Sequence, residues 1–148
     1  MINQIHQLAL NAYGEEQTSP LSLYQSLYEN HPENFIMETQ ENTVLGYIIV
    51  CYLDEQEFQK TLLKGFKESD LDFNKEKNKT SNLYFFSIVV SPNSPKTTSL
   101  KLIKRLKKHL KEHQIKQISA LIYSPEGERL ANLLGLKEIE KSIYYLSL

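Results

Sequence analysis

Three consecutive hydroxyl residues, Thr97, Thr98 and Ser99, follow an apolar segment and begin a lysine-rich one. Backbone N–H groups at the start of a helix bind anions, and a hydroxyl there can cap the helix or donate to a phosphate oxygen. Lys96 and Lys101 flank the three residues and add positive charge. The spacing therefore predicts a phosphate site, with a plain helix cap and no ligand as the alternative.

The segments on either side must position this loop. Residues 83–90 form an apolar run typical of a strand, and residues 117–123 form a second. Between them, a helix is predicted from about Ser99 to His113, and another helix ends at residues 133–136. The buried stripe of the first helix is predicted to consist of Leu100, Ile103, Leu106 and Leu110.

The rest of the chain predicts further elements. Helices are expected over residues 2–12 and from Ser19-Pro20, with Ser19 as the cap, and one or two strands over residues 137–148. Strands Phe35–Gln40 and Thr43–Leu53 are expected to join at Glu41-Asn42, where Asn tolerates a positive φ. A helix from Asp54 to about residue 68, with an apolar stripe of Phe58, Leu62, Leu63 and Phe66, and a polar, mobile loop over residues 74–82 complete the pattern.

The order strand, small-residue loop, basic helix, strand and helix resembles the Gcn5-related N-acetyltransferase (GNAT) superfamily over about residues 35–148. Val90-Ser91-Pro92 matches the end of the strand before that family's pyrophosphate loop, and Gly135-Leu136 stands in the place of its Gly-Phe pair. The resemblance implies an α/β (α+β) fold, one domain over residues 1–148, with a twisted mixed sheet flanked by helices and a helical insertion at about 54–82. It also implies that strands 83–90 and 117–123 splay apart to admit a pantetheine arm.

The function implied by the resemblance is acyl-CoA-dependent N-acyl transfer, with acetyl-CoA or another acyl-CoA as co-substrate and a primary amine of a small molecule or protein as acceptor. The backbone N–H of Val90 would polarise the thioester carbonyl. The cofactor-binding residues would be Ile88, Val89, Val90, Lys96, Thr97, Thr98, Ser99, Leu100 and Lys101.

Several family residues are replaced in this chain. The loop lacks the family's glycines, and the strand before it has Phe86 and Ser87 where many members carry a carboxylate base. Ala131 stands where the family often has the tyrosine that protonates the coenzyme A thiolate, so Tyr123 becomes the candidate donor, with a packed tyrosine as the alternative. These replacements motivate a second hypothesis, a catalytically silent module that binds a partner or an acyl-CoA without transfer. The insertion would then be a contact surface, a substrate lid, a homodimer contact or surface decoration.

Composition gives little support to other classes, and a nucleic-acid-binding protein that uses the Lys101–Lys111 face is a third hypothesis. The chain has 148 residues and a net charge of −1, which gives no general signal for nucleic acid or membrane, and the basic helix lacks the interleaved aromatic residues of a single-strand binder. The four histidines form no metal-like cluster, so no metal is expected. Residues 1–6 lack the regions of a signal peptide, and a cytoplasmic location is the expectation.

Overall fold

The computed structural model describes residues 1–73 and 79–148, and residues 74–78 of the predicted mobile loop lie outside the described residues. Five α-helices, three short 3-10 turns and six strands follow one another along the described chain. The helices are α1 Ile2–Tyr13, α2 Leu21–Asn30, α3 Glu55–Thr61, α4 Thr97–Glu112 and α5 Pro125–Leu134. The strands are β1 Phe35–Gln40, β2 Thr43–Tyr52, β3 Asn82–Val90, β4 Gln117–Leu121, β5 Lys137–Glu140 and β6 Ile143–Ser147.

The six strands form one mixed sheet in the order β1-β2-β3-β4-β6-β5. The pair β3 and β4 is parallel, and every other neighbouring pair is antiparallel. Helices α4 and α5 cover one face of the sheet, while α1, α2 and the segment between β2 and β3 cover the other. The predicted mixed sheet flanked by helices is therefore confirmed.

Strand β3 is buried on both faces, as its continuous apolar sequence requires. Leu83, Phe85 and Ile88 belong to the core beneath α4 and α5, whereas Tyr84 and Val89 belong to the core beneath α1 and α2. The backbone of β3 is thus held between two packed layers of side chains.

Helix α4 lies close to the sheet because β2 has a glycine beneath it. A Cβ at Gly46 would lie 3.0 Å from Leu102 Cδ1 and 3.1 Å from the Val89 carbonyl oxygen. The buried stripe of α4 is Leu102, Ile103, Leu106 and Leu110. The prediction for Leu100 was wrong: the side chain is 63% exposed, because the first helical turn faces the sheet with Thr98, Ser99 and Leu102 instead.

The insertion also differs from its prediction. Its helix is shorter than the predicted one and ends at Thr61, whose Oγ1 lies 2.6 Å from both the Phe58 carbonyl oxygen and Ser119 Oγ. Phe58 and Phe66 are both buried against the sheet, whereas Leu63 is exposed. The two phenylalanines therefore anchor the insertion to its own core and do not form a free contact surface.

The start of α2 and the end of β4 differ from the predicted positions by one or two residues. Helix α2 begins at Leu21 with Pro20 at the cap position, and no side chain caps it, so the capping role predicted for Ser19 was wrong. Strand β4 ends at Leu121 and not at Tyr123, because its partner β6 begins at Ile143, the residue opposite Leu121.

Candidate functional site

Strands β3 and β4 separate halfway along their length. They pair from Asn82 with Gln117 to Phe85 with Ala120, and beyond that point β3 continues to Val90 paired with β2 but not with β4. The separation coincides with a bulge in β3: its pairing with β2 passes from Phe85 to Ser87 and leaves Phe86 as an extra residue. A bulge bends its strand and increases the local twist, which turns the end of β3 away from β4.

Backbone groups of β3 face this opening. The Ser91 N–H donates to the Leu45 carbonyl at 2.8 Å, on the β2 side. Because successive residues of a strand direct their N–H and C=O groups to opposite sides, those of Ile88 and Val90 point away from β2, into the opening. The Ile88 carbonyl accepts a hydrogen bond from the Tyr13 hydroxyl of α1.

A cavity of about 360 Å³, here called the tyrosine cavity, occupies one side of the opening. Its walls come from the α1–α2 connection, the insertion, the bulge of β3 and the end of β4. It is lined by Tyr13, Glu16, Gln17, Thr18, Ser19, Tyr24, Lys67, Glu68, Ser69, Phe85, Phe86, Ser87, Ile88, Ala120, Leu121, Ile122, Tyr123 and Gly127.

A second cavity of about 350 Å³, here called the loop cavity, lies toward the end of β3. Ile88 lines both cavities, so the two meet where the strands diverge. The loop cavity is lined by Leu8, Asn11, Ala12, Ile88, Val89, Val90, Ser91, Pro92, Asn93, Ser124 and Glu126.

Glu68 places a carboxylate in the tyrosine cavity. It begins a 3-10 turn, Glu68–Asp70, that the buried side chains of Phe66 and Leu71 hold against the sheet. The Tyr84 hydroxyl donates to Glu68 Oε1 at 2.6 Å. Burial raises the pKa of Glu68 from 4.5 to about 7, although the hydrogen bonds from Tyr84 and Ser19 act in the opposite direction.

Tyrosines surround this carboxylate. Burial raises the pKa of Tyr24 to about 12 and raises the pKa of Tyr13, Tyr84 and Tyr123 as well, and the negative charge of Glu68 adds to the increase in each. The four hydroxyls therefore stay protonated at neutral pH. They serve as hydrogen-bond donors and not as bases.

Tyr123, the candidate acid from the sequence, lies just beyond β4 and lines the tyrosine cavity. Half of its side chain, 50%, remains exposed. Tyr13 reaches further into the opening, where it also interacts with Ser87 and Ser124. Sequence reasoning missed Tyr13 and Glu68, since both come from segments far along the chain from the loop that drew attention.

The end of α5 nearest the opening has a well-defined cap. Ser124 accepts a hydrogen bond from the Gly127 N–H at 3.0 Å and Pro125 is the first helical residue. Ala131 is fully buried in the core beneath α4 and α5. It therefore takes part in packing.

The fold is similar to the folds of solved structures, whereas the sequence identity to them is low. Ard1 from Thermoplasma volcanium matches with a TM-score of 0.65 at 12% identity, covering 99% of this chain and 90% of that one. A GNAT-family acetyltransferase from Brucella melitensis in complex with acetyl-CoA gives 0.56 at 14% identity, with 99% and 81% covered. An apo mutant of agmatine N-acetyltransferase gives 0.64 at 13% identity, with 99% and 94% covered.

The chain has the GNAT fold. No family model and no curated protein sequence matches it, so the similarity lies in the structure. The GNAT fold predicted from the order of elements is therefore confirmed, and its splayed pair corresponds to β3 and β4.

Within this GNAT fold, the residues predicted to bind the cofactor fall into two groups. Ile88, Val89 and Val90 line the loop cavity, whereas the turn that begins α4 lies beyond Asn93, the last loop residue in that lining. In that turn Thr98 and Ser99 are buried and Lys96, Thr97, Leu100 and Lys101 are exposed. The Thr98 N–H donates to the Pro95 carbonyl at 3.0 Å.

The donor set at the opening of this GNAT fold suits the amide-bearing arm of an acyl-CoA, because the Val90 N–H and the Ile88 carbonyl both face it. The turn before α4 suits phosphate less closely, since it has no glycine and one of its N–H groups is already bonded. Among residues 1–73 and 79–148, no three His, Cys, Asp or Glu side chains are grouped to hold a metal, and no helix is long and apolar enough to cross a bilayer.

Proposed function

We propose that this protein is an acyl-CoA-dependent N-acyltransferase that acts on a primary amine of a small molecule or a protein. The observation that carries the proposal is the opening between β3 and β4, where backbone groups of Ile88 and Val90 that do not pair with β4 meet two cavities. The similarity to a GNAT-family acetyltransferase solved with acetyl-CoA supports acetyl-CoA as the acyl donor.

In this proposal the acyl-CoA arm lies along the end of β3, in the loop cavity. The Val90 N–H donates to the thioester carbonyl oxygen and stabilises the negative charge that develops there during attack. Phosphate contacts fall to backbone N–H groups at the start of α4, to Thr97, and to the exposed Lys96 and Lys101. Ile88 lines both cavities, so the amine enters from the tyrosine cavity on the other side.

Binding of acetyl-CoA is the first test. At a hundred times its dissociation constant, a ligand stabilises the folded protein by about 2.7 kcal/mol, which a thermal melt detects. Release of the coenzyme A thiol in the presence of a panel of primary amines then tests transfer. Absence of any thermal shift at millimolar acetyl-CoA would overturn the proposal.

Val90→Pro tests the carbonyl contact, because proline removes the N–H that faces the opening and leaves the β2 ladder intact. The expected result is a fall in kcat of about 100- to 1,000-fold, the usual cost of one oxyanion donor. Val90→Ala retains the N–H and is the matched control. Equal rates in two folded variants would show that Val90 does not act in this way.

A catalytically silent acyl-CoA-binding module is the second candidate. It is favoured by Ala131, which has no proton to give to a thiolate and lies in the core, and by the Tyr13 hydroxyl that already occupies the Ile88 carbonyl. A thermal shift with acetyl-CoA together with no thiol release over the whole amine panel would select this candidate.

A further inference from the structure

A buried glutamate, Glu68, lies among tyrosines in the cavity on the acceptor side. Glu68 bonds to Tyr84 of β3 at 2.6 Å, and Tyr13 of α1, Tyr24 of α2 and Tyr123 beyond β4 share the cavity or its wall. A carboxylate surrounded by tyrosine side chains forms a site suited to an organic cation. A primary amine is such a cation at neutral pH, since its pKa is near 10, as in lysine.

The carboxylate is held in a fixed position. Its turn is closed by Asp70, whose Oδ2 accepts the Lys67 N–H at 3.1 Å, and it is anchored on both sides by buried Phe66 and Leu71. Tyr84 is fully buried and supplies a rigid donor to one carboxylate oxygen. The Ser19 hydroxyl is a second donor to this carboxylate, whose remaining lone pairs can receive a ligand's N–H.

We propose that Glu68 binds the alkylammonium group of the acceptor and removes its proton before acyl transfer. The inference rests on the proposed N-acyltransferase function and extends it to a catalytic residue and an acceptor chemistry. The base comes from the insertion between β2 and β3, whereas the strand position predicted by the resemblance holds Phe86 and Ser87.

The proton balance of the step is complete. The ammonium R–NH3⁺ gives one proton to the Glu68 carboxylate and becomes R–NH2. The amine nitrogen attacks the thioester carbon, the C–N bond forms and the C–S bond breaks, and the surplus nitrogen proton passes to the departing thiolate. The products are the amide and free coenzyme A, and Glu68 returns its proton to solvent.

The acidity of Glu68 agrees with this role. Burial raises its pKa to about 7, so the base is ionised over part of the neutral range and strong enough to accept a proton. The groups that face it are the hydroxyls of Tyr13, Tyr24, Tyr84 and Tyr123 from four separate segments, and Ser19 from the α1–α2 connection. The charged side chains nearest in the cavity wall and on its own turn are Glu16, Lys67 and Asp70.

The pH profile of kcat/KM gives the decisive measurement, with butylamine as the probe and acetyl-CoA saturating. For the parent protein, kcat/KM is expected to rise through pH 7 and then level off, because ionised Glu68 can deprotonate the abundant ammonium form of the amine. In Glu68→Gln the rate at pH 7.5 should fall at least about 100-fold, as is typical on loss of a general base. The remaining rate should keep rising tenfold per pH unit toward pH 10, as free amine forms.

Tyr84→Phe separates positioning from catalysis. The variant lacks the Tyr84 hydroxyl, whose hydrogen bond lowers the pKa of Glu68. The rise in kcat/KM should therefore move to higher pH, while the plateau value is retained. A reduced rate with an unmoved limb would indicate a structural role only. Glu29→Gln, an exposed carboxylate on α2, is the matched control for charge and should leave the profile unchanged.

A binding experiment provides a readout without turnover. Butylammonium chloride, compared with sodium chloride at equal ionic strength, should stabilise the parent protein in thermal melts above pH 7 and should not stabilise Glu68→Gln. A short peptide with a free N-terminus in place of butylamine distinguishes a protein acceptor from a small one.

The outcomes separate the inference from the proposed function. If Glu68→Gln retains the parent profile and the butylammonium shift while the parent transfers acetyl groups, the assignment of Glu68 is wrong and the proposed function stands. If the parent binds no acetyl-CoA and releases no thiol, the proposed function fails, and the inference fails with it. In every experiment Glu68→Gln must still show the acetyl-CoA melting shift, which verifies that its fold and acyl site are intact.

Discussion

Replacing Glu68 by glutamine should make the protein more stable at alkaline pH. The carboxyl group is partly buried, and its pKa of about 7 in the folded protein lies above the 4.5 of an exposed glutamate. At pH values between these two pKa values, Glu68 therefore takes up a proton when the protein folds. The stability that the neutral carboxyl contributes is complete below pH 4.5 and is lost as the pH rises through 7.

The size of the effect follows from the change in pKa. A rise from 4.5 to about 7 corresponds to about 3 kcal/mol in the free energy of unfolding at 1.36 kcal/mol per pKa unit. Glutamine cannot ionise and has a similar shape, so the Glu68→Gln variant should not lose this free energy of unfolding as the pH rises. The variant should match the parent near pH 4.5 and exceed it by about 3 kcal/mol at pH 8.

Urea denaturation at a series of pH values measures this difference directly. Glu29→Gln supplies the control, since removal of an exposed carboxylate should change the free energy of unfolding only slightly. A constant difference between Glu68→Gln and the parent, or a parent that is the more stable at pH 8, would refute the argument that burial holds the carboxyl in its neutral form.

Three further predictions concern other parts of the molecule. Gly46→Ala should lower the free energy of unfolding by about 1–3 kcal/mol, because its methyl group would meet Leu102 and a backbone oxygen at 3.0 and 3.1 Å; unchanged urea curves would contradict this. Burial, and to a smaller extent the neighbouring His113, lower the pKa of His109 to about 4, so His109 should stay neutral in an NMR titration down to pH 5. The stability that neutral His109 contributes is then lost as the pH falls from 6.5 toward 4, and a titration midpoint near 6.5 would contradict this prediction. Tyr13→Phe should tighten coenzyme A binding about fivefold by calorimetry, because the Ile88 carbonyl then lacks a partner worth about 1 kcal/mol in the free protein; weaker binding would show that the hydroxyl helps to hold the ligand.

The architecture could be read from sequence where local patterns decide it. The apolar run of β3 requires burial on both faces, and the turn at Glu41-Asn42 forms as expected, with Asn42 at φ 65. Leu100 shows the limit of such patterns: helical spacing alone gives a stripe, but the first turn of α4 contacts the sheet through Thr98 and Ser99.

The candidate site was less predictable, because its groups come together through folding. Glu68 becomes distinctive only when Phe66 and Leu71 hold its turn against Tyr84, sixteen residues away along the chain. Tyr13 reaches Ile88 across 75 residues. In the sequence each is an ordinary residue in an amphipathic or charged segment. The roles proposed for Tyr123 and for the turn before α4 stay predictions.

The anchoring of the insertion by Phe58 and Phe66 has a consequence for how the specificity of such a protein could be redesigned. Glu68 of the tyrosine cavity belongs to this segment, whereas the backbone donors at the end of β3 do not. Exchanging residues 54–73 for another sequence that keeps the two phenylalanines would alter the chemistry offered to an amine and leave the acyl side of the opening as it is. Under the proposed function, the choice of acceptor and the choice of acyl donor would thus depend on separately exchangeable parts of one chain.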